Sequence, residues 1–126
     1  MQVSTPMGDA LGKYLDLTAD QMKLTVGNMA NVDTPGYKTQ GFDFEAEFAR
    51  AVAGPTHRYG TATNGAQSLP RVGEVDGLVA RPDGNTVSLD RESLQLAKSQ
   101  LQFRTGVALL KSEYARMMSA IHAEAK

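Results

Sequence analysis

The tightest constraint on the fold lies in the last third of the chain, where apolar residues recur with helical periodicity from about Ser88 to the C-terminus. Leu96, Gln100, Phe103, Val107, Leu110, Tyr114, Met117 and Ile121 follow alternating steps of four and three, and Leu94, Leu101 and Ala108 form a second row two positions earlier. Such spacing gathers each row on one face of an α-helix. Either Ser88 or Asp90 can cap its start, and Asp90 and Glu92 put negative charge beside the positive end of the helix dipole. At 1.5 Å per residue, about 36 residues make a rod of roughly 54 Å. That is long for a small globular domain.

A second helical segment runs from about Thr5 to Met29, with Thr5 as cap and Pro6 at the first helical position. Leu11, Leu15, Thr18, Met22, Thr25 and Met29 make a heptad-like seam softened by two threonines, and Tyr14, Leu17, Leu24 and Val26 lie beside or off it. Gly12 and Gly27 each weaken this helix by about 1 kcal/mol relative to Ala. Pro35 then stops it and restricts Thr34 to extended geometry. The pair Pro35-Gly36 suits the centre of a type II turn, and Asn31 suits a left-handed helix cap.

These signals divide the chain into an N-terminal helix (1–31), a turn (32–41), a small irregular middle region (42–87) and a C-terminal helix (88–126). In the middle, Phe44, Phe48 and Val52 repeat at intervals of four and predict a short helix between Phe42 and Val52, with Asp43, Glu45 and Glu47 on its wet side. Residues 68–72 and 78–80 are candidate short strands, although the Gly- and Pro-rich composition equally suits a loop that orders only against a partner. The expected fold is mainly α: long N- and C-terminal helices packed as an antiparallel, coiled-coil-like hairpin around this small region. The seam offers little burial against the entropy of ordering two such rods, so further burial from other copies is expected, with an ordinary intramolecular core as the alternative.

Composition narrows function by exclusion. A net charge of −1 without any Lys/Arg-dense run argues against nucleic acid as partner. No stretch approaches the roughly 20 apolar residues of a spanning helix, and the N-terminus has neither the basic nor the apolar region of a cleaved secretory signal. With no cysteine, disulfides, thiolate metal sites and cysteine nucleophiles are excluded. The two histidines, His57 and His122, lie in different segments without metal-ligand spacing and read as solvated surface residues. Asp90 and Glu92, two apart on a helix, point to different faces and cannot work as a paired acid and base. No phosphate-cradling glycine motif and no nucleophile elbow occurs. The sequence therefore predicts no catalytic residue, no metal, no cofactor and no small-molecule substrate.

Residues 28–38 read Asn-Met-Ala-Asn-Val-Asp-Thr-Pro-Gly-Tyr-Lys. This run resembles the N-terminal signature of the flagellar rod and hook family, Asn-x-Ala-Asn-x-x-Thr-Pro-Gly-Tyr-Lys, through Asn28, Ala30, Asn31, Thr34, Pro35, Gly36 and Tyr37. Residues 83–92, Asp-Gly-Asn-Thr-Val-Ser-Leu-Asp-Arg-Glu, resemble the segment leading into the C-terminal helix of a proximal-rod member. The resemblance implies a structural subunit of the periplasmic rod in the flagellar basal body, exported by the type III apparatus without a cleaved signal peptide. It also implies the partners: other copies of the chain, proximal-rod proteins such as FlgC and FlgF, the rod-to-ring adaptor FliE, the membrane ring and the export gate. On this reading the motif residues set the turn. Leu11, Leu15, Met22, Met29, Leu96, Phe103, Val107, Leu110, Tyr114, Met117 and Ile121 face the opposite terminal helix or neighbouring copies. The competing reading is a soluble helical adaptor or export chaperone acting as a discrete dimer; a small enzyme would need a pocket of clustered polar groups in the middle region.

Overall fold

The computed structural model describes residues 5–54 and 69–125. Five elements follow one another: α1 (Pro6–Ala30), β1 (Gln40–Gly41), α2 (Phe44–Val52), β2 (Gly73–Glu74) and α3 (Leu89–Glu124). Each helix starts where a side-chain oxygen accepts a free backbone N–H of its first turn. Thr5 does this for α1 through Gly8 N at 3.0 Å, Asp43 for α2 through Ala46 N at 3.2 Å, and Ser88 for α3 through Arg91 N at 3.4 Å. Among the described residues, no helix is long and apolar enough to cross a membrane.

The two long helices pack antiparallel. Thr5 Oγ1 donates to Glu113 Oε1 at 2.9 Å, Gly106 lies against Tyr14 and Leu15, and Asn28 Nδ2 donates to Glu92 Oε2 at 3.1 Å. Residue numbers thus rise along α1 as they fall along α3. Past the Thr5–Glu113 contact, residues 114–124 carry α3 roughly 16 Å further at 1.5 Å per residue.

The hairpin was expected, but its seam is displaced. On α1 the buried positions are Leu17, Thr18, Gln21, Thr25 and Asn28, so Gln21 and Asn28 occupy the interface while Met22 and Met29 are half-buried beside it. On α3 the buried positions are Glu92, Ser99 and Gly106, the last two one residue before Gln100 and Val107 of the apolar row. Closeness of approach is one physical reason. A methyl group built on Gly106 would lie 2.8 Å from Leu15 Cδ2 and 3.2 Å from a Tyr14 ring carbon, so only a residue without a side chain fits there unshifted. The hydroxyls of Thr18 and Thr25 bond back to Tyr14 O (2.7 Å) and Gln21 O (2.9 Å), which lets polar residues sit in a tight seam without unmet hydrogen bonds.

Helix α2 also packs against α1. Tyr14 meets Phe44 and Phe48 edge to face at centroid distances of 5.4 and 5.6 Å, and Lys13 Nζ donates to Ala51 O at 2.8 Å, a cation at the C-terminal end of α2. Three expectations for the middle region change. The strands are not at 69–72 or 78–80 but pair Gln40 with Glu74 and Gly41 with Gly73; residue 68 lies outside the described residues. Asn31 ends α1 at φ −104°, not in the left-handed region, because its Nδ2 reaches Gly27 O at 2.8 Å and closes the helix from the right-handed side. Glu47 is buried rather than wet, paired with Arg50 on the next turn, while Glu45 is exposed and Asp43 is the cap.

Candidate functional site

The residues of the 28–38 motif converge on the junction between α1, the turn and α3. Asn28 is buried and uses its whole amide. Its Oδ1 accepts from Gln40 N (3.0 Å) and from Tyr37 Oη (3.2 Å); its Nδ2 donates to Gln40 O (2.8 Å) and Glu92 Oε2 (3.1 Å). The side chain therefore pairs with the backbone of Gln40 as a neighbouring strand would, and covers the free edge of β1. Pro35 and Gly36 form the expected turn: Gly36 has φ +74°, and Tyr37 N donates to Thr34 O at 3.2 Å. Asn31 Oδ1 accepts from Thr34 Oγ1 at 3.1 Å, so four motif residues fold onto one another.

A second buried amide closes the junction from the α3 side. Asn85, 0 % exposed, donates from Nδ2 to the carbonyls of Asn31 (2.9 Å), Val32 (3.0 Å) and Thr34 (2.8 Å), and its Oδ1 accepts from Val87 N at 2.7 Å. Carbonyls at the end of a helix lack intrahelical donors, and here a residue from 54 positions away supplies one. Arg81 adds a cationic donor to Val32 O, favourable at the negative end of α1. Gly36 N to Asp83 O (2.9 Å), Thr86 N to Tyr37 O (3.1 Å), Lys38 Nζ to Gly84 O (2.7 Å) and Thr39 N to Thr86 Oγ1 (2.9 Å) extend the same seam. The segment before α3 is thereby sewn to the segment after α1.

The buried carboxylate at the junction is paired. Glu92, 1 % exposed, also accepts from Arg91 Nη1 at 2.6 Å. Farther out, the Arg50 guanidinium on the Glu47 carboxylate holds that carboxyl below its ordinary value, with Arg71 adding to the effect and burial opposing it. Between them lies a polar cleft of about 390 Å³ lined by Gln21, Gln40, Arg71, Arg91, Glu92 and Gln95 among others. Among the described residues, no group of three or more His, Asp or Glu is placed to hold a metal ion. His122 is exposed on α3, and His57 lies outside the described residues.

The sequence-predicted interface residues separate into two groups. Leu11, Leu15, Met22, Met29, Leu96, Val107, Leu110 and Met117 are half-buried, whereas Phe103, Tyr114 and Ile121 are exposed. Ala30, Thr34, Pro35 and Gly36 are exposed at the tip of the junction, while Asn31 and Tyr37 are half-buried. Leu94 and Leu101, 74 % and 67 % exposed, occupy the side of α3 away from α1. Among the described residues, only Leu17 and Val87 are buried hydrophobics, and most of the apolar surface of α3 is bare. Sequence reasoning missed Asn85, Gln21, Gly106 and the burial of Glu92. Of these, Asn85 carried a usable signal, because an Asn directly before a helix-start segment is a common source of backbone hydrogen bonds.

A buried polar junction, two long antiparallel helices and exposed apolar helix faces define a helical-hairpin protein. No protein-family model matches the chain. Whole-chain similarity is clear, however. The flagellar basal body rod protein FlgB of Cereibacter sphaeroides is 35% identical over 127 residues, covering 95% of this chain and 99% of that protein. Proteins of the same name from Salmonella typhimurium (32% identity over 119 residues, 85% of this chain, 86% of the relative) and Escherichia coli K12 (28% over 123 residues, 85% and 86%) are similar too. The chain belongs to the FlgB family of flagellar basal body rod proteins.

Proposed function

We propose that this chain is a structural subunit of the proximal rod that assembles through its terminal helices, with other copies of itself, with FlgC and FlgF, and with FliE, the membrane ring and the export gate as neighbours. The observation that carries the reading is the bare apolar surface of α3, set against a core in which, among the described residues, only Leu17 and Val87 are buried hydrophobics. Exposed apolar patches of this extent on a small protein mark sites of association. Leu94, Leu101 and Ala108 lie on the side of α3 away from α1, and Phe103, Tyr114, Met118 and Ile121 flank the seam. Two faces pointing in different directions favour a polymer over the discrete dimer of an adaptor or chaperone, since a closed two-fold contact covers one face and leaves the other bare. The four-part division of the chain follows the same logic: segments 1–31 and 88–126 carry assembly, the turn 32–41 fixes their geometry, and 42–87 is the middle region between them.

The test is Leu101→Asp in a strain lacking the wild-type copy. Because Leu101 is exposed in the single chain, the variant retains wild-type helicity and thermal stability as a purified protein. The reading predicts that it is exported at normal levels but absent from isolated basal bodies, with motility lost. Normal motility with the variant incorporated would overturn the reading.

A further inference from the structure

The apolar rows by themselves favour a different docking of the two helices from the one observed. Met22 and Met29 on α1, and Val107 and Tyr114 on α3, each lie one residue past positions that line the contact, a rotation of about 100° about each helix axis. Turning α3 by that amount would bring Val107 and Tyr114 toward the seam in place of Gly106 and Glu113. The observed setting instead buries a carboxylate. Glu92 meets Asn28 Nδ2 and Arg91 Nη1, and the Asn28 amide is held by both backbone groups of Gln40, so it cannot swing to follow a rotated α3. The other polar contact between the helices, Thr5 to Glu113, is only part-buried.

We propose that Glu92 selects the rotational setting of α3 on α1, a specificity role within the hairpin. A buried carboxylate is tolerated only where donors meet it, and α3 presents Glu92 to Asn28 in one setting alone. Single buried polar residues fix helix register in coiled coils at some cost in stability, and the same physics operates here. The consequence is that the row containing Val107 and Tyr114 stays on the flank of the hairpin. Its use by a neighbouring chain rests on the rod reading above; the rotational claim concerns the single chain.

The absence of native cysteine gives a clean test. Ser99 is buried and its neighbour Gln100 exposed, so Ser99→Cys and Gln100→Cys, made one at a time, report which face of α3 is covered through their rates of maleimide labelling. In the native background and in Glu92→Gln, which keeps an acceptor for Asn28, the cysteine at 99 should label slower than that at 100 by roughly two orders of magnitude, the range set by local opening. In Glu92→Leu the order should invert at unchanged helicity. An unchanged order in Glu92→Leu, or fast labelling at both positions, overturns the proposal: the first means that other contacts choose the setting, the second that Glu92 holds the pair together without choosing. Inverted labelling with undiminished self-association in sedimentation would sustain the rotational role and count against the rod reading's use of that flank.

Discussion

Replacing Asn85 tests the junction at its most connected point. Its two amide hydrogens are shared among the carbonyls of Asn31, Val32 and Thr34, and its oxygen accepts from the N–H of buried Val87. In Asn85→Ala the half-exposed or exposed residues 31, 32 and 34 can turn to water for their carbonyls, so each lost bond costs about 1 kcal/mol; the Val87 N–H is stranded in the interior, at about 1–3 kcal/mol. With two amide hydrogens lost, the sum is about 3–5 kcal/mol, a large share of the stability of a small domain. Asn85→Asp sharpens the argument, because it keeps the acceptor for Val87 but turns a carboxylate toward three carbonyl oxygens. It should destabilise at least as much as Ala. Urea titration followed by far-UV circular dichroism measures both, with the midpoint lowered and the slope unchanged. A loss below about 0.5 kcal/mol for Ala, or wild-type stability for Asp, would refute the view that this amide ties α3 to the end of α1.

Two further perturbations probe packing and charge. Gly106→Leu should force α1 and α3 apart and cost about 1–3 kcal/mol in the same titration, whereas Gly106→Ala should be near neutral, its gain in helix propensity of about 1 kcal/mol offsetting contact with the flexible tip of Leu15. Glu47 governs acid sensitivity. Arg50 lowers its folded-state pKa, so its contribution is fully present above the ordinary value of 4.5 and is lost as pH falls below it. Stability of the native chain should therefore decline on acidification through that region, and Glu47→Gln should flatten the decline.

The helices were legible because their signals are local. Thr5-Pro6 and Ser88 are capping chemistry, and apolar spacing revealed two rods and the short α2. Their mutual rotation was not legible, for a reason that applies to both partners. Counting apolar residues selects the rows with Met22, Met29, Val107 and Tyr114, while close approach selects Thr18, Thr25, Ser99 and Gly106, and hydrophobicity does not measure size. Strands of two residues carry no periodicity, and β1 is completed by a side chain, Asn28, in place of a third strand. The motif pointed to the turn correctly through Pro35 and Gly36, yet the residues that hold it in place, Asn85 and Glu92, lie more than 45 positions away and become its partners only in three dimensions. Glu92 was assigned to the helix dipole, a role that Asp90, exposed on the first turn of α3, fills.

The central claim is that the apolar faces of α3 are covered by other copies of the chain. Sedimentation velocity over a concentration series, with far-UV circular dichroism on the same samples, tests it most directly. Particles that keep growing with concentration, accompanied by rising helicity as residues 114–124 gain partners, are the predicted result. A monomer or closed dimer of constant size and constant helicity at every concentration would contradict it.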